Sequence, residues 1–139
     1  PEGAMGLNWE TEIAPFTERL TEAAYAAVKG KKGKVGYITF VMNVTPDCDC
    51  LSFTDVPIVR DIGILASTDP VALDQACFDL VNAEQGLPNS KMESNHEPGM
   101  NKFKGVYKYT KGEIQLEYGE KIGLGSRKYK LIDMDSLSE

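Results

Sequence analysis

Phe16, Leu20, Ala23, Ala24, Ala27 and Val28 recur at spacings of three and four, which predicts a helix over 15–28 with these residues on one face. Gly30 supplies a stop, and Lys29, Lys31, Lys32 and Lys34 crowd the negative end of that helix. They read as a solvated terminus before they read as a phosphate or partner patch. Over 35–44 the pattern changes to alternation. Ile38, Phe40, Met42 and Val44 fall on one side and Val35, Tyr37 and Val41 on the other. Apolar residues on both sides predict a central strand covered on both faces.

A second apolar run, Asp61-Ile62-Gly63-Ile64-Leu65-Ala66, predicts another strand of the same kind. It leads into Ser67-Thr68-Asp69-Pro70, where proline suits the first helical position and Asp69 can accept from the free amides that follow. The helix behind it extends to about Ala83, with Leu73, Ala76, Cys77, Leu80 and Val81 as its apolar stripe and Gly86 as terminator. Residues 87–104 are rich in Asn, Pro, Gly and Ser and read as a long loop. Ile114, Tyr118 and Ile122 predict a helix over 113–122, although Ile114, Leu116 and Tyr118 also alternate and leave a strand as the alternative. Gly123 and Gly125 end that element, and 129–134 reads as a last strand.

This order predicts a single small α/β domain, a mostly parallel sheet of few strands flanked by helices. A parallel link between the first two strands needs a crossover of a dozen or more residues. The segment 45–60 is long enough, but Pro46 and Pro57 argue against a regular helix in it. Residues 1–14 read as an N-terminal extension or an expression remnant, since the chain opens with Pro1 and continues Gly3-Ala4-Met5-Gly6. Residues 15–139 are then one domain, read as the C-terminal fragment of a longer protein.

Composition narrows the function. A chain of 139 residues with 42% hydrophobic and 26% charged residues can bury a core without a metal or disulfide. Fifteen basic against twenty-one acidic residues leave a net charge of −6, which disfavours nucleic acid. No apolar run reaches the roughly twenty residues of a membrane helix. Three cysteines, two of them one residue apart, suggest a reducing compartment, and so a cytoplasmic protein, before a disulfide framework.

The chemistry concentrates at Asp47-Cys48-Asp49-Cys50. In an extended backbone Cys48 and Cys50 point to one side and could chelate a soft metal. The flanking aspartates raise thiol pKa values and so favour a metal over a free nucleophile. One buried and one idle cysteine is the plainer alternative. Zinc and iron–sulfur sites want four donors, and the pair supplies two. Cys77 sits on an apolar stripe, which leaves His96, the only histidine, as the further candidate ligand. Asp74, near Cys77 on the helix surface, could face a site at the sheet edge, and Arg127 could grip a carboxylate or phosphate there. Helix capping, solvation and a helix-ending turn at Gly123 and Gly125 are sufficient structural accounts of these residues.

Three segments together resemble a known family: Asn43 to Cys50, Pro57 to Ser67, and Asp69-Pro70-Val71-Ala72-Leu73-Asp74-Gln75-Ala76. It is the domain-of-unknown-function 362 family, described as uncharacterised iron–sulfur centre proteins. The loop Asn95-His96-Glu97-Pro98-Gly99 with Lys102-Phe103-Lys104, and the stretch Leu116 to Gly125, look similar too. Members typically carry a ferredoxin-type cluster motif upstream, and this chain has no such four-cysteine run. The resemblance therefore implies an iron–sulfur-associated protein, redox or metal-binding through the Cys48/Cys50 loop. Its cluster or metal ion would be completed by parts outside this chain. Two other readings stay open. One is a non-catalytic scaffold that docks the missing N-terminal region or a second copy. The other is a small-molecule enzyme using Asp74, His96 and Arg127 at the sheet edge.

Overall fold

The computed structural model describes residues 12–48, 52–134 and 136. Its elements are α1 (Ile13–Val28), β1 (Tyr37–Val41), β2 (Gly63–Ser67), α2 (Pro70–Ala83), α3 (Lys102–Val106) and α4 (Glu113–Lys121). No helix among the described residues is long and apolar enough to cross a membrane. All three long helices fall where the periodicity puts them, and the helical alternative holds at α4.

The sheet differs from the expectation. Among the described residues it has two strands, and they are antiparallel, with Tyr37 opposite Ser67 and Val41 opposite Gly63. The mostly parallel sheet is therefore wrong. The physical reason lies in the connection. The chain turns back locally, with Asn43 N donating to Asp61 Oδ1 at 2.7 Å, Ile62 N to the Val41 carbonyl at 2.9 Å and Ile58 N to the Val44 carbonyl at 2.9 Å. These bonds close the base of the loop, so no crossover is needed. Gly63 enters β2 at φ 145°, a backbone conformation open to glycine and strained for other residues. The segment 129–134 forms no strand; the Tyr129 hydroxyl ties it to α2 by donating to Asp79 Oδ2 at 2.9 Å.

The ribbon is covered on one face only. Val41 is buried and Leu65 half-buried, whereas Ile38, Phe40 and Ile64 are 66%, 65% and 61% exposed. The expected burial of both faces does not hold. The core instead gathers Val41, Ile58, Val59, Val81 and Met92, with Cys77 and Phe103 packed against it. Ile58 and Val59 come from the inter-strand loop and Met92 from the polar loop, so irregular segments supply much of what a third strand would supply.

α1 is also turned away from its expected orientation. Its one buried residue is Thr21, whose hydroxyl donates to the Thr17 carbonyl at 2.8 Å, while Phe16 and Leu20 remain about half exposed. The helix lies on α4 near Gly119, whose added Cβ would meet Val71 Cγ2 of α2 at 3.0 Å and Thr21 Cγ2 only at an ordinary 3.6 Å. The Tyr118 hydroxyl donates to Glu22 Oε1 at 2.7 Å across the same contact.

The polar loop is ordered around a lysine. Lys102 is fully buried, and its ammonium donates to the carbonyls of Asn82, Glu97 and Met100 at 3.0, 2.7 and 3.1 Å. Burial pushes its pKa down, while Glu97 and Glu84 oppose that shift.

Candidate functional site

Asp74 lies one turn into α2, on the side that meets β1 and α4. Its Oδ2 accepts a hydrogen bond from Gln115 Nε2 at 3.0 Å. Two cavities open on either side of this pair. One, of about 360 Å³, lies between β1, α2 and the start of α4 and is lined by Thr39, Val41, Cys77, Phe78, Phe103 and Leu116 among others. The second, of about 320 Å³, is walled by α1, α2 and Leu124. Asp74, Gln115 and Leu116 border both.

The walls explain the electrostatics. Asp74 reaches solvent, yet the surrounding protein partly desolvates it and raises its pKa above the ordinary carboxylate value, against the hydrogen bond from Gln115. Cys77 is a half-buried free thiol. Desolvation first and the Asp74 charge second push its pKa up, while a hydrogen bond with Thr39 works the other way. The shift favours the protonated thiol, so the reactive thiolate is a minor species at neutral pH. Phe78 and Phe103 stack with centroids 5.1 Å apart and planes 6° from parallel, and both line the larger cavity.

The other residues singled out from the sequence lie elsewhere. Arg127 donates from Nε to Gln75 Oε1 at 2.8 Å and approaches Glu117 at 3.7 Å; it borders neither cavity. His96 belongs to the loop that closes over the end of α2, where its carbonyl accepts from Gly86 N at 2.7 Å and Gln85 Nε2 at 3.0 Å. Gly86 is required there, because a Cβ would fall 2.9 Å from His96 Cα. Of Asp74, His96 and Arg127, only Asp74 borders these two cavities.

Cys48 is exposed and disulfide-bonded. Cys50 lies outside the described residues. The loop is fixed at its first member: Asp47 accepts from Lys91 Nζ at 3.2 and 3.0 Å and from the Tyr107 hydroxyl, and Lys91 also donates to Tyr107. The Tyr107 and Lys91 hydrogen bonds hold the Asp47 carboxyl below its usual range, and Tyr107 and Asp47 raise Lys91. Nothing in the sequence pattern joins positions 47, 91 and 107, and this cluster was missed. Among the described residues no group of three or more His, Cys, Asp or Glu side chains could hold a metal ion. Those residues therefore do not by themselves fit an iron–sulfur cluster or a zinc site.

Fold and site together define a small mixed α/β domain with open apolar cavities around one carboxylate. Residues 4–79, more than half of the chain, match the family model Domain of unknown function (DUF362), and the chain belongs to that family. The match takes in α1, both strands and α2 up to Asp79, and with them Asp74 and Cys77. The His96 loop and the Leu116 to Gly125 stretch lie beyond it. No curated protein and no solved structure matches the chain.

Proposed function

We propose that this DUF362 domain binds a small, largely apolar molecule in the cavity between β1, α2 and α4. The observation that carries this reading is the convergence of Asp74, Gln115, Cys77 and Thr39 on one apolar cavity of about 360 Å³. A concave apolar surface of a few hundred cubic ångströms with a few converging polar groups is the usual form of a small-molecule site. Cys77 reports occupancy directly. Methyl methanethiosulfonate, a small neutral thiol reagent, modifies Cys77 at a rate read by peptide mass spectrometry. Saturating toluene slows that modification, and filling the cavity by Thr110→Trp removes the effect of toluene. An unchanged rate at Cys77 with toluene present overturns the reading.

Metal binding at Cys48 and Cys50 is a second reading, supported by the C-x-C spacing and by the anchoring of Asp47 beside it. It requires reduced thiols and donors from outside this chain. Metal analysis of the anaerobically purified, full-length protein, with and without both cysteines changed to serine, tests it. Equal metal content in the two would refute it.

A further inference from the structure

We propose that the ligand of the β1–α2–α4 cavity carries a cationic amine, held by Asp74, on an aromatic or aliphatic body; this rests on the small-molecule reading above.

The argument begins with hydrogen-bond accounting. Gln115 occupies Oδ2 of Asp74, and Oδ1 has no hydrogen-bond partner among the described residues. Charge accounting agrees. The ion pairs among the described residues are Lys91 with Asp47, Lys104 with Glu113, Lys108 with Glu93 and Arg127 with Glu117, and none includes Asp74. Arg127 engages Gln75 and Glu117 instead. Asp74 reaches solvent, so water serves its open oxygen in the free protein, and a ligand that brings a cation replaces that water with a charged partner.

Three ligand chemistries can be separated on this basis. An anionic head would meet the Asp74 charge at close range. A hydroxyl would form one ordinary hydrogen bond to the open oxygen. An ammonium would form a charge-assisted bond, roughly twice as strong. The remaining wall suits an apolar body, with the stacked Phe78 and Phe103 and the Leu116 side chain. The raised pKa of Asp74 reflects the partial desolvation that the surrounding protein imposes.

The probes are benzylamine, benzyl alcohol, phenylacetate and toluene, compared on the full chain at neutral pH. The readout is the concentration that half-protects Cys77 from methyl methanethiosulfonate. Benzylamine is expected to protect at about tenfold lower concentration than benzyl alcohol, and phenylacetate to protect least. In Asp74→Asn the advantage of benzylamine disappears while toluene still protects. Using the ratio of half-protection concentrations within each protein cancels the change in thiol reactivity that Asp74→Asn itself causes. Equal half-protection by amine and alcohol overturns the proposal, as does an amine advantage that survives Asp74→Asn. In both outcomes protection by toluene leaves the cavity reading standing. Failure of all four probes ends both.

Discussion

Asp69 holds three backbone amides with two oxygens. Its Oδ1 accepts from Val71 N and Ala72 N at 2.9 and 3.0 Å, and its Oδ2 from Ser126 N at 2.9 Å. The helix-capping half of this was legible from Asp69-Pro70. The other half was not, because it pairs residues 57 positions apart. It also explains Gly125, where an added Cβ would lie 2.0 Å from Asp69 Oδ1. Gly125 is therefore kept for the approach of the aspartate, beyond any role in ending α4. Asp69→Ala is expected to cost about 2 kcal/mol in urea denaturation. Gly125→Ala should cost less in that background than in the wild type, since the clash partner is gone. Lys102 is a comparable case. Lys102→Met keeps the volume and strips three carbonyls of their donor, so a loss of about 3 kcal/mol is expected by the same measurement. From the sequence, Lys102 looked like one more charge in a polar loop.

At the level of elements, periodicity located the three long helices, passed over the short α3 at the end of the segment read as a loop, and misjudged what the helices and strands bury. Residues 35–44 are apolar on both sides, which ordinarily means a covered strand. Here the antiparallel return through Asp61 and Ile62 leaves a two-stranded ribbon with Ile38, Phe40 and Ile64 in water. Apolar pattern reports what could be buried; pairing decides what is. The double variant Phe40→Thr, Ile64→Thr tests this exposure. It is expected to alter stability by no more than about 0.5 kcal/mol, because exposed positions contribute little. It should also lower concentration-dependent light scattering, because it removes an apolar patch. A loss of several kcal/mol in the variant would mean that these side chains are buried in solution.

Across the whole molecule, the Asp47, Lys91 and Tyr107 cluster joins the loop after β1 to the segments before and after α3. Its pH dependence follows from the two shifts. The Asp47 carboxyl is lowered by folding, so its contribution is complete above the unfolded value near ~4 and is lost as pH falls through the lower folded value. Lys91 is raised by folding, so its contribution is complete below the unfolded value near ~10.4 and is lost as pH rises through the folded one. The expected outcome is a plateau between these limits. In Asp47→Asn the acid decline should shrink, as read from denaturation midpoints across the acid range. Of the candidate sites, Asp74 and its nearness to Cys77 were readable from helical spacing. The partners that make the cavity were not, since Thr39, Phe103 and Gln115 arrive from three separate elements.

The position of Asp74 between two cavities also fixes how many ligands the domain can count. Toluene needs only apolar wall, so both cavities can fill and titration can approach two equivalents. An amine needs the one open carboxylate oxygen, so the first molecule bound denies it to a second on either side. Titration with benzylamine, followed by calorimetry, should therefore saturate at a single tight equivalent. Filling the β1–α2–α4 cavity by Thr110→Trp should abolish that tight equivalent and leave toluene free to occupy the other cavity.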